Sequence, residues 1–143
     1  MANVNPYLTF NGTCEAAFDF YQSVFGGEFP YKGKFKDMPS EYPIPDSEKE
    51  KIMHISLPIG GAVLMGSDAS EACGGKAVTA GDNIAISINT DTEEEAKRIF
   101  EGLSAGGTVT MPLDKTFWGA LFGMFTDKFG IHWMVNYDYE QKA

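Results

Sequence analysis

The feature that most narrows what this chain can fold into is an internal repeat. Residues 8–29 laid on residues 88–109 match at Glu15/Glu95, Ala16/Ala96, Phe20/Phe100, Gly26/Gly106 and Gly27/Gly107. Those five identities fall within twenty-two aligned positions, where average composition would supply roughly one. Any two amphipathic helices ending in Gly-Gly would share some of this, but a tandem duplication accounts for it better. At 143 residues the chain suits one domain, or two small modules sharing a core, and is too short for two full-sized enzyme domains.

Each copy has the same grammar. Residues 4–10 form a short β-prone run broken by Asn11-Gly12. Cys14, Ala17, Phe18, Tyr21, Val24 and Phe25 then recur at the spacing of an amphipathic helix, and Gly26-Gly27 stops it. In the second copy, residues 83–89 alternate as a strand, with Ile84, Ile86 and Ile88 on one face. Thr92 and Glu95 stand as a capping box, Ala96, Ile99, Phe100 and Leu103 make the next apolar stripe, and Gly106-Gly107 ends it. Three strands follow each helix: 28–36, 51–59 and 62–67 in the first copy, and 108–113, 119–126 and 131–137 in the second. Gly60-Gly61 and Asp127–Gly130 read as tight turns, and residues 37–50, with three prolines, as a long loop. Both halves are therefore βαβββ: a first module over 1–68, a linker over 69–81 and a second module over 82–143.

Composition then excludes classes of function. Eleven basic side chains against twenty acidic ones give a formal charge of −9, the wrong sign for a phosphate backbone. No apolar run approaches the ~20 residues that span a bilayer. The first seven residues carry neither a basic nor an apolar leader segment, so no signal peptide is expected. Two cysteines, Cys14 and Cys73, in a chain able to build its own core point to reduced thiols and a cytoplasmic protein. The expected partners are a small molecule and a second copy of the chain, with neither nucleic acid nor membrane.

The familiar catalytic signatures are missing: there is no glycine-rich phosphate loop, no Cys-x-x-Cys, no His-Glu-x-x-His and no Gly-x-Ser-x-Gly. Cys14 falls in the first helix's apolar stripe and reads as core; Cys73 reads as an incidental thiol in the linker. Two histidines remain. Alternation places His54 with Ser56, and His132 with Met134 and Asn136. Both are acid–base candidates, or else they are hydrogen-bonded locally. Metal binding by both is disfavoured because no Asp or Glu shares their faces. Lys32, Lys34 and Lys36 alternate and read as edge-strand protection rather than an anion site. Trp118, following Pro112-Leu-Asp-Lys-Thr, is the aromatic expected to face a pocket.

Several of these segments carry a family resemblance: Asn5-Pro-Tyr-Leu, Phe20-Tyr-x-x-Val-Phe-Gly-Gly27, Lys51-Ile-Met-His54, Phe117-Trp-Gly-x-x-Phe-Gly-Met and Thr126-Asp-Lys-Phe-Gly-x-His-Trp-Met-Val-Asn136. Together they resemble PhnB-like proteins of the glyoxalase/bleomycin-resistance/dihydroxybiphenyl-dioxygenase group, the vicinal oxygen chelate superfamily. The resemblance implies an α+β fold in which two βαβββ modules form an open, curled mixed sheet around a cavity, and it implies homodimers. Enzymes of that superfamily hold a divalent metal with His and Glu from the first and last strands of each module. The matching positions here are one of Asn5, Pro6 and Tyr7, then Met65, Asn83 and Met134. None offers a carboxylate or imidazole, so neither metal nor other cofactor is expected. The resulting expectation is a metal-independent small-molecule-binding protein. Its ligand would touch Tyr7, Thr9, His54, Met65, Asn83, Ser87, Trp118, His132 and Met134. The alternative is an enzyme of glyoxalase or fosfomycin-resistance type, with His54 and His132 as the reacting groups.

Overall fold

The computed structural model describes residues 2–37, 44–71 and 76–139. The chain divides into two compact units, residues 1–79 and 80–143. In the first, strand β1 (Tyr7–Phe10) leads to helix α1 (Cys14–Phe25) and strand β2 (Tyr31–Lys34). A single 3-10 turn (Phe35–Asp37) and a one-turn helix α2 (Asp46–Lys49) come before β3 (Ile52–Ile59) and β4 (Ala62–Asp68). The second unit runs β5 (Ile86–Asn89), α3 (Glu93–Ser104), β6 (Thr108–Lys115), β7 (Ala120–Thr126) and β8 (His132–Asp138).

Both sheets have the same order, β1-β4-β3-β2 and β5-β8-β7-β6. In each, the first strand lies parallel to the fourth and the other pairs are antiparallel. This is the α+β, paired βαβββ architecture that the repeat predicts. One face of each sheet carries its helix: α1 lies on β3 and β4, and α3 on β6, β7 and β8. The stripe residues Cys14, Ala17, Phe18, Tyr21 and Val24 are buried in the first unit, as are Ala96, Ile99, Phe100 and Leu103 in the second. They meet Ile55, Leu57 and Leu64 in one core, and Leu121, Phe125, Trp133 and Val135 in the other. Cys14 is fully buried there, and that burial pushes its thiol pKa far up, which makes it inert.

The glycine pairs do different work in the two copies. Gly26 and Gly27 both take positive φ, 79° and 82°, after α1. Of the second unit's pair only Gly106 does, at 78°. Gly107 is small for another reason: a Cβ there would collide with the Thr126 carbonyl.

Several boundaries differ from those read in the sequence. The strand expected over 83–89 begins only at Ile86, and Ile84 is 78% exposed. Alternation overextended it: the pairing with β8 begins at Ile86 opposite Trp133, and no earlier residue of this segment is paired among the described residues. The strand expected over 28–36 covers only Tyr31–Lys34, so Lys36 sits in the 3-10 turn rather than on its face. Those lysines are held by carboxylates: Lys32 by Glu15 at 2.8 Å, and Lys34 and Lys36 by Glu50, each at 2.8 Å. At the start of α3 the Thr92 hydroxyl accepts from the Glu95 amide at 3.1 Å as a capping box requires, but the Glu95 carboxylate reaches back to Asp91, not Thr92. Cys73 and much of the proline-bearing loop lie outside the described residues.

Candidate functional site

Strand pairing assigns the residues of each sheet's helix-free face row by row, since directly opposed residues point the same way. In the first unit one row runs Tyr7, Met65, Ser56, Tyr31 across all four strands. His54, two residues before Ser56, shares that face and is paired with Gly33; Thr9 and Ser67 are opposed there too. His54 lies between two tyrosines. The Tyr7 ring stacks on it at 5.7 Å with 28° between planes, and the Tyr31 ring is tilted over it at 5.6 Å.

Gly33 makes the second contact possible. A Cβ there would stand 2.7 Å from the Tyr31 hydroxyl, so that ring lies across the glycine to reach the imidazole. The spacing Tyr31-Lys-Gly33 is the signal that sequence reading passed over, an aromatic covering a glycine on an edge strand. The Tyr7 hydroxyl is 3.4 Å from His54 Nδ1, a long contact. Either the phenol donates to Nδ1 and leaves Nε2–H outward, or Nδ1–H donates and leaves a lone pair on Nε2. Both arrangements keep Nε2 available to a ligand.

His132 is held differently. Its Nε2–H donates to the Gly81 carbonyl at 2.7 Å, and its Nδ1 lies 2.8 Å from the Thr126 hydroxyl. Both ring nitrogens are therefore engaged, and the imidazole fastens residue 81 to the start of β8. His54 stands on a third strand and His132 on a fourth, so the repeat does not make them equivalent.

The helix-free face of the second unit is laid out in rows, three of which involve β6. Thr108, Thr126 and His132 form one; Met111, Met124, Met134 and Ser87 the next; Asp114, Phe122, Asn136 and Asn89 the third. Asn136 donates to Asn89 at 3.2 Å and to Asp138 at 3.1 Å. Trp118 sits in the turn between β6 and β7, 58% exposed, with its ring 6.1 Å from Phe122 and 5.0 Å from Phe117.

These rows allow a direct test of whether a hard divalent ion fits. The first and fourth strands oppose Tyr7 to Met65 in one unit and Ser87 to Met134 in the other. The resemblance implies Asn83 at this position, but Asn83 precedes β5 and it is Ser87 that stands opposite Met134. Of the residues at the amino end, Asn5 is committed to the Val63 amide at 2.9 Å, which leaves Tyr7 as the one that faces Met65. Neither pair, a phenol with a thioether in the first unit or a hydroxyl with a thioether in the second, matches the oxygen-rich or imidazole sets that such ions take. Among the described residues no three His, Cys, Asp or Glu side chains gather at one point.

Two further motifs prove structural. Asp127 accepts from the Phe129 and Ile131 amides at 2.8 and 3.0 Å and from Trp133 Nε1 at 2.9 Å, tying the last turn to the core. Asp68, at the end of β4, accepts from the amides of Gly12, Cys14 and Ile52. It caps α1 from another strand, whereas Thr13 makes no side-chain cap.

Comparison with known proteins agrees with this architecture. The family model described as Glyoxalase/Bleomycin resistance protein/Dioxygenase superfamily matches residues 3–135. Protein YjdN of Escherichia coli is 37% identical, with 93% of each chain covered. The crystal structure of protein PA1353 from Pseudomonas aeruginosa superposes with a TM-score of 0.85 at 43% identity, covering 96% of this chain and 98% of that one. A PhnB protein from Bacillus cereus, described as a putative 3-demethylubiquinone-9 3-methyltransferase, shares the fold at TM-score 0.72 and 23% identity, over 95% and 99% of the two chains.

Proposed function

Because the chain belongs to the glyoxalase/bleomycin resistance protein/dioxygenase superfamily, we propose that it binds a small organic molecule at a β-lined site without a hard divalent metal. The observation that carries this reading is the first unit's helix-free face. Two half-exposed tyrosines flank an imidazole whose Nε2 is available, and Met65, Ser56, Thr9 and Ser67 surround it. Such a surface offers aromatic and thioether area to an apolar or aromatic body and a few hydroxyls and one N–H or lone pair to orient it. Enzymatic acid–base chemistry is the second reading. It rests on His54 alone, since His132 has both nitrogens engaged.

Ligand screening by thermal shift and tryptophan fluorescence tests the first reading. An aromatic or apolar ligand should raise the melting temperature by mass action, and His54→Ala or Tyr31→Ala should weaken that binding. Zinc, nickel, manganese and iron should leave the melting temperature unchanged. Stoichiometric metal that disappears on replacing both His54 and His132 would overturn the proposal and favour a metalloenzyme.

A further inference from the structure

The second unit's middle row suggests a ligand of a different kind. Three of the chain's seven methionines, Met111, Met124 and Met134, occupy directly opposed positions on β6, β7 and β8. The register of β6 shifts on both sides of Met111, between Val109 and Met111 and again between Met111 and Asp114. Between these two irregularities Met111 is the residue opposite Met124, while Val109 is paired with Phe125 on the helix-facing side. The opposite face of the same strands is packed with Leu121, Phe125, Trp133 and Val135 and has no methionine. Thioethers are thus gathered in one row of one face, on strands where β-branched residues would ordinarily be preferred.

Opposed Cβ atoms lie about 4.5–5.5 Å apart. Methionine's three rotatable bonds therefore let the outer two sulfurs lean over the central one. Met124 and Met134 are half-buried and Met111 is 45% exposed, so the row is open to solvent at the β6 side. Neutral, polarizable sulfur donors discriminate by softness: they reject calcium, magnesium and manganese and select a d10 monovalent ion.

We propose that Met111, Met124 and Met134 form a three-thioether site for a soft monovalent cation, Cu(I). This site lies wholly within the second unit and does not depend on organic-ligand binding at the first unit's face. Because a thioether carries no titratable proton, binding should release none, and affinity should be flat across the range where thiolate and imidazole sites weaken with acid. His132 cannot substitute, its nitrogens being engaged, and Cys14 is sealed in the other unit's core.

The test uses the full chain carrying Cys73→Ser, which removes the thiol that would compete. Cu(I) is titrated anaerobically against a chromophoric Cu(I) chelator, with Ag(I) as a redox-inert probe in parallel. One ion per chain is expected, with affinity unchanged between mildly acidic and neutral pH. Met124→Leu should weaken it on the order of tenfold or more, since loss of mere outer-shell support already does so at metal sites. The triple leucine variant should abolish binding while keeping the wild-type circular dichroism, leucine being close to methionine in volume. If the Cys73→Ser chain takes up no Cu(I) or Ag(I), if uptake survives the triple variant, or if it falls with acid as an imidazole site would, the proposal fails. None of these results would bear on organic-ligand binding at His54.

Discussion

Replacing Asp68 with alanine should be among the most damaging single changes available in the first unit. Its carboxylate accepts from Gly12 N at 3.0 Å, Cys14 N at 2.9 Å and Ile52 N at 2.9 Å. Cys14 and Ile52 are fully buried, so their amides would be left without water or protein; Gly12 is exposed and would find solvent. An orphaned buried donor costs about 1–3 kcal/mol, so two of them give roughly 2–6 kcal/mol. The negative charge at the start of α1 is lost as well, worth about 0.3–1 kcal/mol. For a chain of this size about 1 kcal/mol moves the melting temperature by ~3 °C, so a fall on the order of 10 °C is expected. Differential scanning calorimetry of Asp68→Ala beside Asp19→Ala, a change on the exposed side of α1, measures it. Asp68→Asn should recover only part, because its amide group must set a donor against one of the three N–H groups. A fall for Asp68→Ala no larger than for Asp19→Ala would refute the view that this side chain caps the helix from β4.

Hydrogen bonds from Lys34 and Lys36 hold the Glu50 carboxyl down to about 2 from 4.5. Its folded pKa is thus the lower one, so its contribution to stability is complete above about 4.5 and fades as pH falls toward 2. Side-chain NMR should find that low midpoint, and Lys34→Ala with Lys36→Ala should return it upward. Gly66→Ala should destabilise by about 1–3 kcal/mol in urea titration, because its Cβ would stand 2.6 Å from the Phe18 ring and 2.9 Å from the Leu8 carbonyl; an unchanged midpoint would show that β1 can shift. The chain should sediment as a dimer at micromolar concentration, since Phe117 is 98% exposed and packs edge-on against Trp118, itself 58% exposed; a monomer would count against this.

How much could be read beforehand followed from the range of each interaction. Helix stripes, glycine stops and the βαβββ count are local periodicities, and α1 and α3 came out where the apolar spacing put them. Residue 84 was misread because alternation says nothing about whether a neighbouring strand exists at that height. Asp68 escaped notice because a cap supplied from fifty-four residues away leaves no trace in the helix's own flanks. The faces of His54 and His132 were legible from alternation alone, but their states were not. One imidazole is bracketed by Tyr7 and Tyr31, the other is spent on Gly81 and Thr126, and both outcomes are set by partners on other strands or on the chain before them.

The two units share the backbone arrangement and differ in what the helix-free face displays. Strand order and register recur, since a one-residue slip would move every side chain of a strand to the other face of its sheet. Positions on the helix-free face carry no such burden. There Tyr7 is matched at the same register by Ser87, and Ser56, the β3 partner of Met65, by Met124, the β7 partner of Met134. Met65 and Met134 themselves remain thioethers in both copies. One face has become aromatic and hydroxyl-bearing around an available imidazole, the other thioether-rich with its imidazole tied down. Two copies of one fold therefore present two chemistries, and binding at one should be separable by substitution from binding at the other.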